Sequence, residues 1–117
     1  MITGPIELQK QSIRSLQSHR QALLRRLPPL NSVLRGSLIE RYKRCGKPGC
    51  KCAQGPGHGP KYYLSISQPG ARPAMDYVPQ DSQETVARYL ENYRLAREIL
   101  DQICSINREL LRRREPL

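Results

Sequence analysis

The chain has 117 residues, a formal net charge of +10 and neither tryptophan nor phenylalanine. A chain this short with so few aromatic residues buries only a modest core, so a metal or disulfide staple would help it to fold. No apolar run approaches the length of a membrane span, and the first residues lack the charged start and apolar stretch of a secretory signal. We therefore expect a cytoplasmic protein with no membrane partner, whose thiols stay reduced and available to zinc.

The positive charge is concentrated in the first three fifths of the chain. Residues 1–72 carry 13 lysines and arginines against 2 glutamates, whereas residues 73–117 carry 7 arginines against 8 acidic residues. A field of one sign attracts polyanions, and the abundant cytoplasmic polyanions are DNA and RNA. The distribution favours a nucleic-acid partner over a protein partner. The alternative is that the basic residues only keep a small protein soluble.

The first predicted element is a helix over residues 5–27. Gaps of seven, three, seven and four residues, the spacing of a coiled-coil stripe, separate its apolar side chains Ile6, Ile13, Leu16, Leu23 and Leu27. Pro5 suits a first helical turn, and Pro28 and Pro29 end the helix because neither can donate a hydrogen bond. Arg20 stands where an apolar residue is expected, which indicates a short or partly open packing surface.

A compact β element is predicted over residues 34–79. Residues 37–44, 61–67 and 73–78 read as three strands of an antiparallel meander, and Pro69 and Gly70 mark the second turn. Along the middle strand Tyr62 and Leu64 alternate with Tyr63 and Ser65, which is the period of a half-buried strand. Tyr62 and Tyr63 therefore lie on opposite faces, and only one of them is expected to be buried.

The last predicted element is a long helix over residues 81–114. Asp81 and Glu84 have the spacing of a capping box. Gaps of three and four residues then separate the members of one stripe: Val86, Tyr89, Tyr93, Ala96, Leu100, Ile103, Asn107 and Leu110. Some 30 residues make a rod of about 45 Å, which needs partners along most of its length. The N-terminal helix, lying antiparallel, would cover part of the rod, and a second copy of the chain in a homodimer could cover the rest.

Two residues of this helix have open interpretations. Asn107 either specifies the register and number of helices or lies where the helices fray and face water. Cys104 stands one position off the stripe and is interpreted as a small buried apolar residue in preference to a fourth metal ligand. The predicted fold is thus a single α+β domain over residues 1–117. Two long helices, in a coiled-coil-like hairpin or dimer, flank a small three-stranded antiparallel meander with a zinc knuckle.

The knuckle is predicted from three cysteines and a histidine within fourteen residues. Cys45, Cys50, Cys52 and His58 have the spacing C-x4-C-x1-C-x5-H, among glycines and prolines that force tight turns. Flanking lysines and arginines lower thiol pKa values and offset the charge of three thiolates. We expect a structural Zn²⁺ with Cys₃His ligands. Three alternatives stay open: three cysteines with water as fourth ligand, a disulfide pair, and a turn with reduced cysteines.

Catalysis is not expected. An open zinc position would need a nearby general base, and the only acid within reach before Asp76 is Glu40. Elsewhere the sequence shows no paired carboxylates, nucleophile with its base, or phosphate-binding glycine loop.

A nucleic-acid surface is predicted on the β element and its flanks. Side chains that could contact phosphates are Arg35, Arg41, Lys43, Arg44, Lys47, Lys51 and Lys61. A stacking face for bases could come from Tyr42 and from either Tyr63 or Tyr62. The alternative for each tyrosine is an ordinary strand residue in a small core.

The residues just described also carry a resemblance. The segments 34–52 and 58–64, which include Arg35-Gly-Ser-Leu38, Cys45-Gly-Lys-Pro and His58-Gly-Pro-Lys-Tyr-Tyr, resemble a family of small prokaryotic proteins of unknown function. The resemblance implies metal binding and an association with transposases and other mobile-element genes. Together with the charge, it predicts a non-catalytic, zinc-stapled accessory or regulatory protein that binds DNA or RNA. The alternative is an interaction module whose helices and basic knuckle bind a protein partner.

Overall fold

The computed structural model describes residues 5–43 and 58–117, with side chains from residue 8 to 42 and from 60 to the end. The described residues form a mixed α+β structure with one three-stranded sheet and one long helix. Its main elements are α1 (Pro5–Lys10), α2 (Ile13–Arg25), β1 (Ser37–Lys43), β2 (His58–Ile66), β3 (Ala74–Val78) and α3 (Gln83–Arg112). Short 3₁₀ turns at Leu30–Ser32 and Gln80–Ser82 precede β1 and α3.

The chain divides into two compact units. The first, the helical unit, combines the described residues up to Ser32 with Asn92–Leu117. The second, the sheet unit, comprises the described residues of Val33–Glu91. Helix α3 contributes its first turns to the sheet unit and the rest to the helical unit. That the two units form a single domain stays a prediction.

The N-terminal helix predicted over residues 5–27 is two helices instead of one. Helix α1 ends at Lys10, and α2 begins at Ile13. Between them Ser12 adopts an extended conformation, and its hydroxyl accepts a 3.0 Å hydrogen bond from the backbone N–H of Ser15. A serine at this position offers the backbone an alternative to the continuous helical ladder. The apolar spacing could not reveal the break, because the stripe continues across it.

The core of the helical unit confirms the predicted stripe of α2 and corrects that of α3. Its buried residues are Leu8, Leu16, Leu23, Ile99, Ile106 and Leu110, with Ile13, Leu27, Leu95 and Ile103 packed against them. On α3 the prediction included Leu100, but Leu100 is 54% exposed, whereas its neighbour Ile99 is fully buried. Both residues are apolar, so spacing alone did not identify which faces the shorter helices. Cys104, predicted to be buried, is also exposed.

Hydrogen bonds show that the N-terminal helices run antiparallel to the helical-unit part of α3. The Arg113 guanidinium donates to the carbonyl of Leu8 at 2.9 Å, and the Asn92 side-chain amide donates to the carbonyl of Ser32 at 2.9 Å. Between these ends, Arg20 donates to Asn107 Oδ1 at 2.6 Å in a partly buried pair. The two polar residues that interrupt the predicted stripes are therefore partners. Asn107 makes a specific contact between the helices and does not mark a frayed end.

Glu109 is a buried carboxylate near the end of α3. Arg112 donates two hydrogen bonds to it, at 2.7 and 3.1 Å, and Arg113 donates another. These bonds from Arg112 and then Arg113 lower the pKa of Glu109 against the opposing effect of desolvation. The carboxylate therefore stays ionised at neutral pH. It holds Arg113 where its guanidinium also reaches the carbonyls of Leu8 and Gln9 in α1.

A Schellman motif ends α3. The N–H of Glu115 donates to the carbonyl of Leu110, and the N–H of Arg114 donates to that of Leu111, each at 2.9 Å. The motif requires a left-handed residue, and Arg114 supplies it with φ 62°. Because a side chain opposes this conformation, Arg114 is a strained substitute for glycine.

We expect Arg114→Gly to stabilise the helical unit by about 0.5 to 1 kcal/mol, since removal of the Cβ penalty outweighs the greater freedom of glycine in the unfolded chain. Urea denaturation followed by far-UV circular dichroism measures the change. Arg114→Ala is the matched control, because it removes the same charge but keeps the Cβ atom. Equal stability of the two variants would show that the backbone of Arg114 is not strained.

The sheet confirms the predicted meander. Its strand order is β1-β2-β3, and both pairings are antiparallel. Strand β2 begins at His58, three residues earlier than predicted, where the sequence indicated a loop around glycine and proline. The pairing of β1 and β2 shifts between Arg41–Lys61 and Lys43–His58, so Gly59 and Pro60 stand opposite one residue. This bulge accommodates Pro60, which cannot donate to a regular ladder.

Two glycines shape the turns of the sheet unit. Gly70, with φ 68°, follows Pro69 in the predicted turn, which the N–H of Ala71 closes on the carbonyl of Gln68. Gly36, with φ 139°, lies just before β1. A Cβ atom at Gly36 would lie 2.8 Å from the carbonyl oxygen of Ser65 and 2.9 Å from Leu64 Cδ1. Glycine is thus required there by both conformation and space.

The start of α3 differs from the predicted capping box. The chain enters the helix through the 3₁₀ turn at Gln80–Ser82, in which the N–H of Ser82 donates to the carbonyl of Pro79 at 2.9 Å. Asp81 lies inside this turn, and α3 begins two residues later than predicted, at Gln83. Among the described hydrogen bonds there is none between Asp81 or Glu84 and the backbone of the helix start.

Candidate nucleic-acid interface

Alternation along the strands gives the sheet two different faces. The buried residues Leu64 and Val78 belong to the inner face, where Leu64 pairs with Leu38 of β1 and Val78 with Tyr62. Residues of the opposite phase form what we call the outer face: Ser37, Ile39, Arg41, Lys61, Tyr63, Ser65, Met75 and Tyr77. Every described residue of the outer face is exposed or half-buried. Both buried residues of the described strands thus lie on the inner face, and the outer face has none.

Two tyrosines lie side by side on the outer face. Tyr63 and Tyr77 are directly paired across β2 and β3, and their rings meet edge to face with centroids 5.7 Å apart. Tyr77 is 56% exposed, whereas Tyr63 is half-buried. The pair offers a rigid aromatic surface to a ligand. Tyr62 lies on the inner face, so the predicted placement of Tyr62 and Tyr63 on opposite faces is confirmed. The expectation that one of them is buried is wrong, because both are half-buried.

Two cations flank the tyrosine pair. Arg41 and Lys61 are paired across β1 and β2, and both are exposed. Lys61 stands two residues before Tyr63 along β2, so the two residues share the outer face. The acidic residues of the described strands are Glu40 and Asp76, and both belong to the inner face. The outer face thus combines positive charge with aromatic rings and carries no carboxylate of its own.

Two other predicted contact residues, Tyr42 and Arg35, are not part of the outer face. Tyr42 stands two residues after Glu40 and so lies on the same face of β1 as Glu40. Its hydroxyl donates a 2.8 Å hydrogen bond to the Glu40 carboxylate. This bond, with smaller effects of burial and of the Glu40 charge, raises the pKa of Tyr42. Arg35 is exposed before β1 begins, and Lys43 ends β1 opposite His58. Arg44, Lys47 and Lys51 lie outside the described residues.

The predicted metal ligands stay a prediction, because their side chains are not among those that the structure describes. Cys45, Cys50 and Cys52 lie outside the described residues, and of His58 only the backbone is described, at the start of β2. Residues 5–43 and 58–117 contain no cluster of three or more histidine, cysteine or acidic residues that could hold a metal ion. The Lys43–His58 pairing does show that the chain leaves and re-enters the sheet at neighbouring points.

A cavity of about 460 Å³ opens at one end of the sheet unit. Its lining includes residues from β2, β3, the following 3₁₀ turn and the first turn of α3: Lys61, Tyr62, Tyr77, Gln80 and Gln83. Two aromatic side chains, two amides and one cation thus surround the space. Lys61 and Tyr77 belong to both the cavity and the outer face.

Sequence reasoning missed three of these residues. Tyr77 was placed in a strand but not in the nucleic-acid surface, and strand alternation together with the pairing to Tyr63 was the signal that could have included it. Gln80 and Gln83 carry no recognisable motif. They reach the cavity only because a 3₁₀ turn connects β3 directly to α3.

Fold and outer face together define a small α+β protein with a basic, aromatic sheet surface. A family model described as "Domain of unknown function (DUF6788)" matches residues 13–88, which is well over half of the chain, and the protein belongs to this family. The match agrees with the predicted membership of a family without an assigned function. No curated protein and no solved structure gives a significant match. In the part of the chain that the structure describes, no helix is long and apolar enough to cross a membrane.

Proposed function

We propose that the protein binds nucleic acid through the outer face of its sheet, as a non-catalytic accessory or regulatory factor. The observation that carries this proposal is the paired cations Arg41 and Lys61 beside the paired tyrosines Tyr63 and Tyr77 on one accessible surface. Cations neutralise phosphates, and aromatic rings stack on bases without selecting sequence. The overall charge of +10 supplies the long-range attraction.

The predicted zinc knuckle is part of the same proposal. In it Cys45, Cys50, Cys52 and His58 bind a structural Zn²⁺ that holds the β1–β2 connection, with its additional cations, beside the outer face. The closed hairpin supports this arrangement, because His58 lies across from Lys43, two residues before Cys45. The association with mobile elements, which the family resemblance implies, stays a prediction.

The proposal is tested by the salt dependence of binding. We expect Arg41→Ala/Lys61→Ala to weaken binding of a labelled oligonucleotide and to reduce the slope of log K against log salt by about 1.5 to 2, since two phosphate contacts are lost. Fluorescence anisotropy across a salt series measures both quantities. Single-stranded and duplex probes should be compared in the same buffer.

Arg14→Ala/Arg97→Ala is the matched control, because both arginines are exposed in the helical unit and the net charge falls equally. This control should keep most of the slope of log K against log salt. Equal losses in the two double variants would mean that charge alone, and not the outer face, determines binding. Absence of binding to any nucleic acid at low salt would refute the proposal.

A second candidate function is an interaction module, which the exposed apolar residues of the helical unit favour. Leu100 and Leu111 on α3 are 54% and 59% exposed, and Leu24 on α2 is also exposed. Exposed leucines along one long helix suit a partner helix, from a second copy or another protein. Recovery of a stable protein complex from cells, combined with failure to bind nucleic acid, would favour this function over the first.

A further inference from the structure

The cavity beside Tyr77 carries an inference that rests on the proposed function and makes it more specific. We propose that this cavity accepts one unstacked nucleobase from a single-stranded nucleic acid that lies on the outer face. The ligand class is therefore single-stranded RNA or DNA, read at one base. A duplex is the weaker ligand, because one of its bases must first be unpaired and unstacked before it can enter a pocket.

The size and walls of the cavity suit a planar aromatic ligand. Its volume of about 460 Å³ lies in the range of small-molecule sites, which is roughly 300–1,000 Å³. Tyr62 and Tyr77 contribute aromatic rings to its lining. Stacking on tyrosine accepts any base, because every base presents a π-face. The rings therefore account for affinity but not for a choice among bases.

Two glutamines supply polar side-chain groups that could discriminate among the bases. Gln80 and Gln83 each carry two amide donors and one carbonyl acceptor, the complement of the mixed donors and acceptors on a base edge. Among the described residues, neither side-chain amide is engaged in a hydrogen bond. Both groups are thus available to a ligand. An apolar ligand would make no hydrogen bond to either amide, whereas a base edge can bond to both.

The positive charge at the cavity, and the continuity of the cavity with the outer face, favour a nucleotide over a neutral aromatic ligand. Lys61 lines the cavity and is paired with Arg41 on the outer face, so cations extend from the cavity across the sheet. Tyr77 lines the cavity and is also packed edge to face on Tyr63. A strand that stacks on the tyrosine pair is therefore next to the cavity mouth, with its phosphates near Arg41 and Lys61.

The test uses the full chain and four labelled single-stranded RNA homopolymers of about ten nucleotides, with the corresponding DNA strands as a second set. We expect the tightest-bound homopolymer to exceed the weakest by about tenfold in affinity. Gln80→Ala/Gln83→Ala should reduce this ratio to about twofold while leaving the salt slope unchanged. Gln68→Ala, an exposed glutamine in the β2–β3 turn, is the matched control and should keep the full ratio.

The outcomes separate this inference from the proposed function. Binding of all four homopolymers with equal affinity, or an unchanged ratio in the double variant, would overturn the base pocket and leave nucleic-acid binding intact. Nuclear magnetic resonance titration with the four ribonucleoside monophosphates gives an independent measurement. The side-chain amide signals of Gln80 and Gln83 should shift, and absence of any shift would overturn the pocket. Shifts with monophosphates but no binding of oligonucleotides would refute the proposed function and, with it, the assignment of a nucleic-acid strand as the ligand of the cavity.

Discussion

Replacing Gly36 with alanine is expected to lower the free energy of unfolding of the sheet unit by about 3 kcal/mol. The new Cβ atom would meet the Ser65 carbonyl oxygen at 2.8 Å, and Leu64 Cδ1 at 2.9 Å, so backbone and core must both move. The φ angle of 139° adds strain that an alanine relieves only by rotating the chain before β1. Because Leu64 is one of the buried residues of the inner face, the disturbance reaches the core of the unit.

Near-UV circular dichroism during urea denaturation reports on this unit, since the chain has no tryptophan and five of its six tyrosines lie within Val33–Glu91. Gly70→Ala is the control: φ is 68°, but nothing lies within 4 Å of the added atom, so only conformational strain of about 1 kcal/mol is expected. Similar destabilisation by the two substitutions would show that the close approach at Gly36 is unimportant.

The second large effect is expected at the cysteines. If the zinc knuckle exists, Cys50→Ser should release the metal and melt the β element while leaving most of the helical structure intact. Structural zinc contributes on the order of 10 kcal/mol to the folding of small zinc-binding peptides, so loss of one thiolate ligand is severe. Metal analysis of protein purified without chelators measures the zinc content, and near-UV dichroism measures the state of the sheet.

Cys104→Ser is the matched control, because Cys104 is an exposed free thiol on α3. It should retain one zinc ion for each chain and the wild-type spectrum. Wild-type protein without stoichiometric zinc would remove the knuckle from the proposal. The outer face would then have to keep its shape through strand pairing and the inner core alone.

The sheet could be predicted from sequence because its signals are local. Alternation along β2 and the turn at Gly70 fix the meander, and glycine is what the left-handed turn position requires. The apolar stripe of α2 was equally clear at Leu16, whose neighbours Ser15 and Gln17 are both polar.

The remaining features depend on tertiary contacts that spacing does not encode. On α3, Ile99 and Leu100 are adjacent and both apolar, so the buried one is decided by the helix that packs against them. The pairing of Arg20 with Asn107 joins two residues that each looked like a defect in a separate stripe. The cavity forms only where the 3₁₀ turn carries Gln80 past the end of β3.

The short helix α1 depends on the rest of its unit for its existence. Six residues are too few to form a stable helix alone, because nucleation costs more than so few hydrogen bonds return. What keeps α1 in place is the burial of Leu8 and the Arg113 guanidinium on the carbonyls of Leu8 and Gln9. Since Ser12 caps α2 separately, α1 can detach without unwinding its neighbour. We therefore expect the amide protons of α1 to exchange through a local opening, at lower free energy than those of the α2–α3 core.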